Sequence, residues 1–393
     1  MASIFNILIF ILNPFAGFIY NLFRPINRIS YIIFILFFFY IGCSFSFHDI
    51  RVDSYRYADD FSNIVKYGNI GVLSQRILQG KLDIYDYVIC SIVSLFTESA
   101  RILYAIYAAI FGYFILKFYH FIGHDWGKRK DIYVWIIILS IFFLNPHMNI
   151  NGVRYWTATW VFFTSFIEYF IYHKKKWILV LVLVPFIHIS YLIPLCFIVI
   201  SYIFLLHFGL KQIYYITIVS LVVGMLLPVD KILLLLPTDL GVFDHFEAYT
   251  NEGNVSEKQL LQHNRSMLYI LFSKLPCVYV IAFLLNIKYR KIYFRDEDSF
   301  LFTFIMLMLS FLFLLDKIPS LSRFYYISYM LLIYLTFRIY KENRRPFIKI
   351  TIVLIPIFFF GLLYQVFIIH DSVLSNIYLY KPTWDRIEFA LSY

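Results

Sequence analysis

Charge is scarce in this sequence. Asp, Glu, Lys and Arg make up only 15% of 393 residues, against 61% hydrophobic ones, whereas a water-soluble chain carries roughly 25% charged residues. With a mean hydropathy of +0.75, a soluble globule is excluded and the chain reads as an integral membrane protein. The apolar runs are continuous and lack the alternation of an outer-membrane barrel, so the spans are expected to be helices. Cysteine is rare as well. Cys43, Cys90, Cys196 and Cys277 lie scattered in apolar surroundings, without zinc-like or paired spacing, which leaves packing as their simplest use. No charge precedes Arg24, so the first run lacks the basic start of a signal peptide and is expected to be retained.

The charge that is present is basic, +10 in total, but it is not gathered into a nucleic-acid surface. It alternates between loops, as the positive-inside rule requires. Arg24 and Arg28, HDWGKRKD at His124–Asp131, HKKKW at 173–177, KYRKIYFRDED at 288–298 and KENRRPFIK at 341–349 mark cytoplasmic turns. The expectation is an all-α polytopic membrane protein, one domain over residues 1–393, with about 11–12 transmembrane helices. Asn13 and Pro14 interrupt the first run and predict a kinked span, with the amino terminus outside. Two larger loops fall on the exterior. The first, 48–98, contains a short apolar piece, Ile84–Phe96, too brief to span, which either dips into the membrane or lies along it. The second, 237–265, is polar and is the place expected to set specificity, since loops vary on a fixed frame.

The stretch most unlike its surroundings is IRVDSYRYADDF, Ile50–Phe61, placed where the Ile29–Phe47 run emerges. It reads as one wall of an active site at the outer face. Four helices predicted to run inward begin with a capping residue followed closely by arginine: Ser99 and Arg101, Asn151 and Arg154, Asn264 and Arg265, Ser322 and Arg323. Ser and Asn cap helix starts well. Arginine there opposes the helix dipole, at a cost of up to about 1 kcal/mol, unless an anion answers it. With Arg51 and Arg56, six arginines at one face predict an anionic-substrate site, and the guanidinium fork suits phosphate. A metal is not indicated: Asp296 and Asp298 form a D-x-D on the cytoplasmic side, read as a solvated acidic loop, and Asp59-Asp60 has no histidine at ligand spacing.

The segments N151-G-V-R154, the following KKK turn and P185-F-I-H188-I-S190 resemble the heart of the EpsG-like group of Wzy-type polysaccharide polymerases. R51-V-D53-S-Y-R-Y57 is similar to that group's early arginine, aspartate and tyrosine segment, and S322-R-F-Y-Y326 to its later one. The likeness runs from about residue 30 to 340. Val52 stands where the group usually has glycine. The resemblance implies a fold akin to the GT-C glycosyltransferases in a bacterial inner membrane, with the active site facing the periplasm. It also implies an undecaprenyl-pyrophosphate-linked oligosaccharide as both donor and acceptor, and a separate chain-length regulator; the residues themselves point to no cofactor and, by the loop distribution of their charge, to no nucleic acid.

On that chemistry, cations should hold the departing pyrophosphate: Arg154 and Arg323 first, then Arg51 and Arg265, with Arg56, Tyr57 and Tyr326 also contacting substrate. A base must take the acceptor hydroxyl's proton. Asp53, in the first exterior loop, and His188, an ionisable residue at the outer end of a membrane hairpin, both qualify. An O-antigen ligase would use similar arginines and the same donor. A flippase or other transporter would need no base. A membrane acyltransferase fits less well, because the basic and histidine residues lie outside.

Overall fold

The computed structural model describes residues 2–22, 27–47, 53–68, 84–126, 131–226, 267–290, 294–315, 321, 323–364, 381–385 and 388. Among them are fifteen α-helices, two short 3-10 turns and no strand. In chain order the helices are α1 (Ala2–Leu12), α2 (Pro14–Leu22), α3 (Arg28–Cys43), α4 (Asp53–Tyr67), α5 (Tyr85–Val93), α6 (Ala100–Trp126), α7 (Ile132–Leu144), α8 (Val153–Phe170), α9 (Trp177–Ile187), α10 (Leu192–His207), α11 (Leu210–Leu226), α12 (Met267–Arg290), α13 (Asp296–Leu314), α14 (Phe324–Glu342) and α15 (Arg344–Tyr364). Four stretches, Ala100–Ile122, Ile132–Phe170, Ile189–His207 and Asp296–Leu314, are long and apolar enough to cross a membrane, and five shorter apolar helices accompany them. The chain is an all-α, multi-pass membrane protein. The loop 237–265, with Asn264 and Arg265, lies outside the described residues, as do Arg51, Val52 and Ser322.

The chain divides into two compact units. The first comprises residues 1–131, 145–192 and 365–393. Its framework is the pair α3 and α6, which approach at backbone distance: a Cβ on Gly42 would come within 2.3 Å of the Tyr104 carbonyl oxygen and 2.4 Å of the Ala105 Cα. In lipid, where apolar surface gains little by leaving its solvent, such close packing at small residues is a main source of helix association. Aromatic rings fill the flanks, with Phe18 of α2 stacked on Phe37 of α3 at 4.2 Å.

The amino-terminal run is not a kinked span. A Cβ on Gly17 would lie 2.7 Å from the Cα of Phe10, seven residues away along the chain, so α1 and α2 fold back as a hairpin. Asn13 Oδ1 accepts the Ala16 N–H at 2.9 Å, capping α2 with Pro14 at its first position, where the missing N–H is harmless. Asn21 holds the hairpin together. Its Oδ1 accepts from Asn6 Nδ2 and from Ser30 Oγ, each at 3.1 Å, and its Nδ2 donates to the Gly17 carbonyl at 2.8 Å.

At the centre of this unit α8 is buried on almost every side. Among its hydroxyls, Thr159 Oγ1 donates to the Tyr155 carbonyl at 3.0 Å and Ser165 Oγ to that of Val161 at 2.6 Å within the helix, and Thr164 Oγ1 donates to the Phe114 carbonyl of α6 at 3.4 Å, so these three cost little in apolar surroundings. The helix ends at the basic turn. Lys174 Nζ lies 2.6 Å from the carboxylate of Glu168, a side chain only 2% exposed.

The second unit, residues 132–144 and 193–364, is built on α13, whose middle is wholly buried and which packs against α11 and α14. Ser310 Oγ donates to Thr217 Oγ1 of α11 at 3.1 Å. Although α7 precedes α8 in sequence, it packs against α14 and α15 in this unit. The D-x-D expectation is corrected here. Asp296 and Asp298 are not in a solvated loop but in the first turn of α13, where acids favour the helix dipole. Asp298 is buried and paired with Arg338 Nε of α14 at 2.5 Å.

Candidate functional site

The charged stretch after α3 folds as α4, a polar helix whose Tyr57, Phe61 and Ile64 are buried while Arg56, Asp59, Asn63 and Lys66 face outward. That i, i+4, i+7 spacing makes one buried stripe on an otherwise wet helix. It rests on α5, on α6 and on the 3-10 turn His147–Gly152 that leads into α8.

The start of α4 is fixed from far away. Asn151 Oδ1 accepts the Ser54 N–H at 2.8 Å, across 97 residues, satisfying a donor that the helix itself leaves open. This corrects the expectation that Asn151 caps its own helix: Gly152 holds the cap position of α8 and brings no side-chain bond. The turn carrying Asn151 is itself held by Asn145, which is buried. Asn145 Nδ2 donates to the Trp156 carbonyl at 3.1 Å, its Oδ1 accepts from Asn149 Nδ2 at 3.0 Å, and its carbonyl accepts Trp160 Nε1–H at 3.0 Å. Asn151→Ala is expected to cost about 1 kcal/mol locally and to speed amide exchange in the first turn of α4 about fivefold at that cost. Unchanged exchange there would show that the cap does not hold the helix.

The cap sets Asp53, the first residue of α4, against the start of α8. A Cβ on Gly152 would lie 3.6 Å from Asp53 Oδ2. Arg56 Nη2 donates to Asp53 Oδ1 at 2.8 Å; both side chains are well exposed, at 62% and 48%, so this pair adds little stability. One turn on from Asp53, Tyr57 is only 5% exposed. Arg154 Nε donates to its hydroxyl at 3.0 Å, and the guanidinium carbons of Arg154 and Arg56 each lie 5.8 Å from its ring centroid. Burial pushes the Tyr57 hydroxyl above its ordinary pKa, with Asp86 and Asp53 reinforcing the shift and Arg154 opposing it.

His188 ends α9 and caps the turn Ile189–Tyr191. Its Nδ1 accepts the Ser190 N–H at 3.4 Å and lies 2.7 Å from Ser190 Oγ, which leaves the ring proton of the neutral imidazole on Nε2. Its ring meets the edge of Tyr155, next to Arg154, at 5.3 Å. The structure thus brings Asp53, Arg56, Tyr57 and Arg154 into one cluster, with His188 beside it through Tyr155. Arg323 and Tyr326 belong to the second unit, where Arg323 is exposed at the cap position of α14 and Tyr326 lies in its first turn.

Asp86 was not among the expected residues. It is 3% exposed, on α5, and acts electrostatically on Tyr57 and on Tyr85. Its backbone carbonyl accepts the Tyr107 hydroxyl at 3.1 Å. The signal was available: a lone carboxylate in YDYVICSIV is costly in apolar surroundings and therefore informative. The α5 helix itself is nine residues long, roughly 14 Å at 1.5 Å per residue, too short to span, as expected for this piece.

No curated protein and no solved structure matches this chain. A family model, described as EpsG family, matches residues 28–381, a range that contains the whole cluster. With most of its length matched, the protein belongs to the EpsG family, whose members are related to the Wzy-type polysaccharide polymerases.

Proposed function

We propose that the protein is an O-antigen polysaccharide polymerase of a bacterial inner membrane. It would transfer the growing glycan from undecaprenyl pyrophosphate to a sugar hydroxyl of a new lipid-linked repeat unit at the periplasmic face. The observation that carries this reading is the gathering of a carboxylate, Asp53, one turn before Tyr57 on α4 and beside Gly152, with a guanidinium, Arg154, bonded to the Tyr57 hydroxyl. Such a pair can accept a proton at one end and hold a developing negative charge at the other.

Asp53 is the base in this reading. Its Oδ1 is held by Arg56, and among the described residues its Oδ2 has no other hydrogen-bond partner. His188 commits its Nδ1 lone pair to the Ser190 cap and presents Nε2–H, a donor. Arg154, second residue of α8, combines its charge with the positive end of that helix, which suits an anion. Arg51, Arg265 and Arg323 are assigned to the same pyrophosphate, and Tyr326 to substrate, from the sequence. A separate chain-length regulator acts with the enzyme.

The test is incubation of purified protein with a synthetic lipid-pyrophosphate oligosaccharide. A ladder of added repeat units supports the polymerase. Transfer only to a lipid-core acceptor would indicate a ligase, and no covalent product would overturn the enzyme reading. His188→Asn should retain at least a third of the activity, because an Asn oxygen can take over the cap; a loss of 10²-fold or more, the usual scale for removing a base, would return that role to His188.

A further inference from the structure

Resting on that reading, we propose that the Tyr57 hydroxyl donates a hydrogen bond to the diphosphate oxygen that departs from the sugar. A ring this buried, with a guanidinium over it at 5.8 Å from each of Arg56 and Arg154, offers a sugar no stacking face, so its contact with substrate is confined to the hydroxyl.

That hydroxyl accepts from Arg154 Nε–H at 3.0 Å. Its own hydrogen has no acceptor among the described residues. A buried phenol with a donor in hand is costly unless something accepts it, and an anionic oxygen beside Arg154 is the acceptor the surroundings favour. The bond it receives from a cation strengthens the bond it gives.

The groups acting on it are Arg154 of α8, Asp53 and Arg56 of α4, Asp86 of α5 and Tyr104 of α6. Burial and the two carboxylates outweigh the arginine and keep the phenol protonated. In the transfer, the acceptor oxygen forms its bond to the anomeric carbon while its proton passes to the Asp53 carboxylate. The bond from that carbon to the diphosphate breaks, and its electron pair leaves on the oxygen. Tyr57 and Arg154 hydrogen-bond that oxygen, and the phenol keeps its proton throughout.

The experiment compares wild type, Tyr57→Phe, and protein with 3-fluorotyrosine or 3,5-difluorotyrosine at position 57, each assayed for ladder formation across pH. Loss of one oxyanion donor should lower kcat about 10²-fold in Tyr57→Phe, with donor KM within threefold. The fluorinated rings keep shape and hydroxyl but ionise more readily, so the alkaline limb of kcat should move to lower pH with each fluorine. Tyr57→Phe within twofold of wild type, or an alkaline limb that fluorination leaves in place, would overturn the assignment while leaving the polymerase intact. A wild-type protein that makes no ladder would overturn the polymerase reading and this role with it.

Discussion

Asp53→Asn is expected to leave the protein folded in the membrane and to lower glycan transfer by about 10²–10⁴-fold, the range for loss of a general base. The amide is nearly isosteric with the carboxylate. Its oxygen can still accept from Arg56, which bonds Asp53 Oδ1 at 2.8 Å, and the Asn151 cap on Ser54 uses backbone N–H alone. What disappears is the proton-accepting oxygen facing Gly152. Cells carrying the variant should make lipopolysaccharide bearing single repeat units, and purified protein should show the loss in kcat. A fall of less than tenfold would remove Asp53 from the role of base.

Arg154→Lys is expected to cost about 10²-fold even though the charge is kept. Lysine has no Nε–H to place on the Tyr57 hydroxyl while presenting a planar fork to phosphate, and it acts as a flexible point charge. Loss of one preorganised donor to a developing anion is worth about 10²–10³ in kcat. On the proposed role of Arg154 in holding the ground-state pyrophosphate, donor KM should rise alongside the fall in kcat. Arg154→Ala should be worse than the lysine variant by a further order of magnitude, the usual scale for a charge-assisted contact of about 1.5 kcal/mol. A lysine variant within twofold of wild type would show that this guanidinium does not serve the reaction.

Fold class was legible because hydropathy has few solutions in lipid: long apolar runs must be helices. The cluster was legible in part because Asp53, Arg56 and Tyr57 sit within one short segment, and because Arg154 breaks the dipole rule at the start of a helix. What could not be read were relations across the chain. The capping chemistry of Asn151 was visible in the sequence, but its recipient, 97 residues earlier, was not. Asp298 looked solvated because its partner, Arg338, lies 40 residues on. The hairpin of α1 and α2 resembled a single kinked span because hydropathy does not distinguish a bend from a reversal. The burial of Asp86 was not legible, because the piece around it is too short to span and that burial depends on the neighbouring helices that cover it.

The bond from Asn151 to Ser54 also orders events during biosynthesis. The ribosome must add 97 residues after Ser54 before its capping partner exists, about 5–20 s at 5–20 residues per second. Until then α4 has only its packing on α5 and α6 to add to a marginal helical propensity, since an isolated helix of this length is barely stable in water, and its first turn lacks the cap. On the proposed role of Asp53, a chain stalled before residue 151 would display the carboxylate with neither its cap nor Arg154 in place.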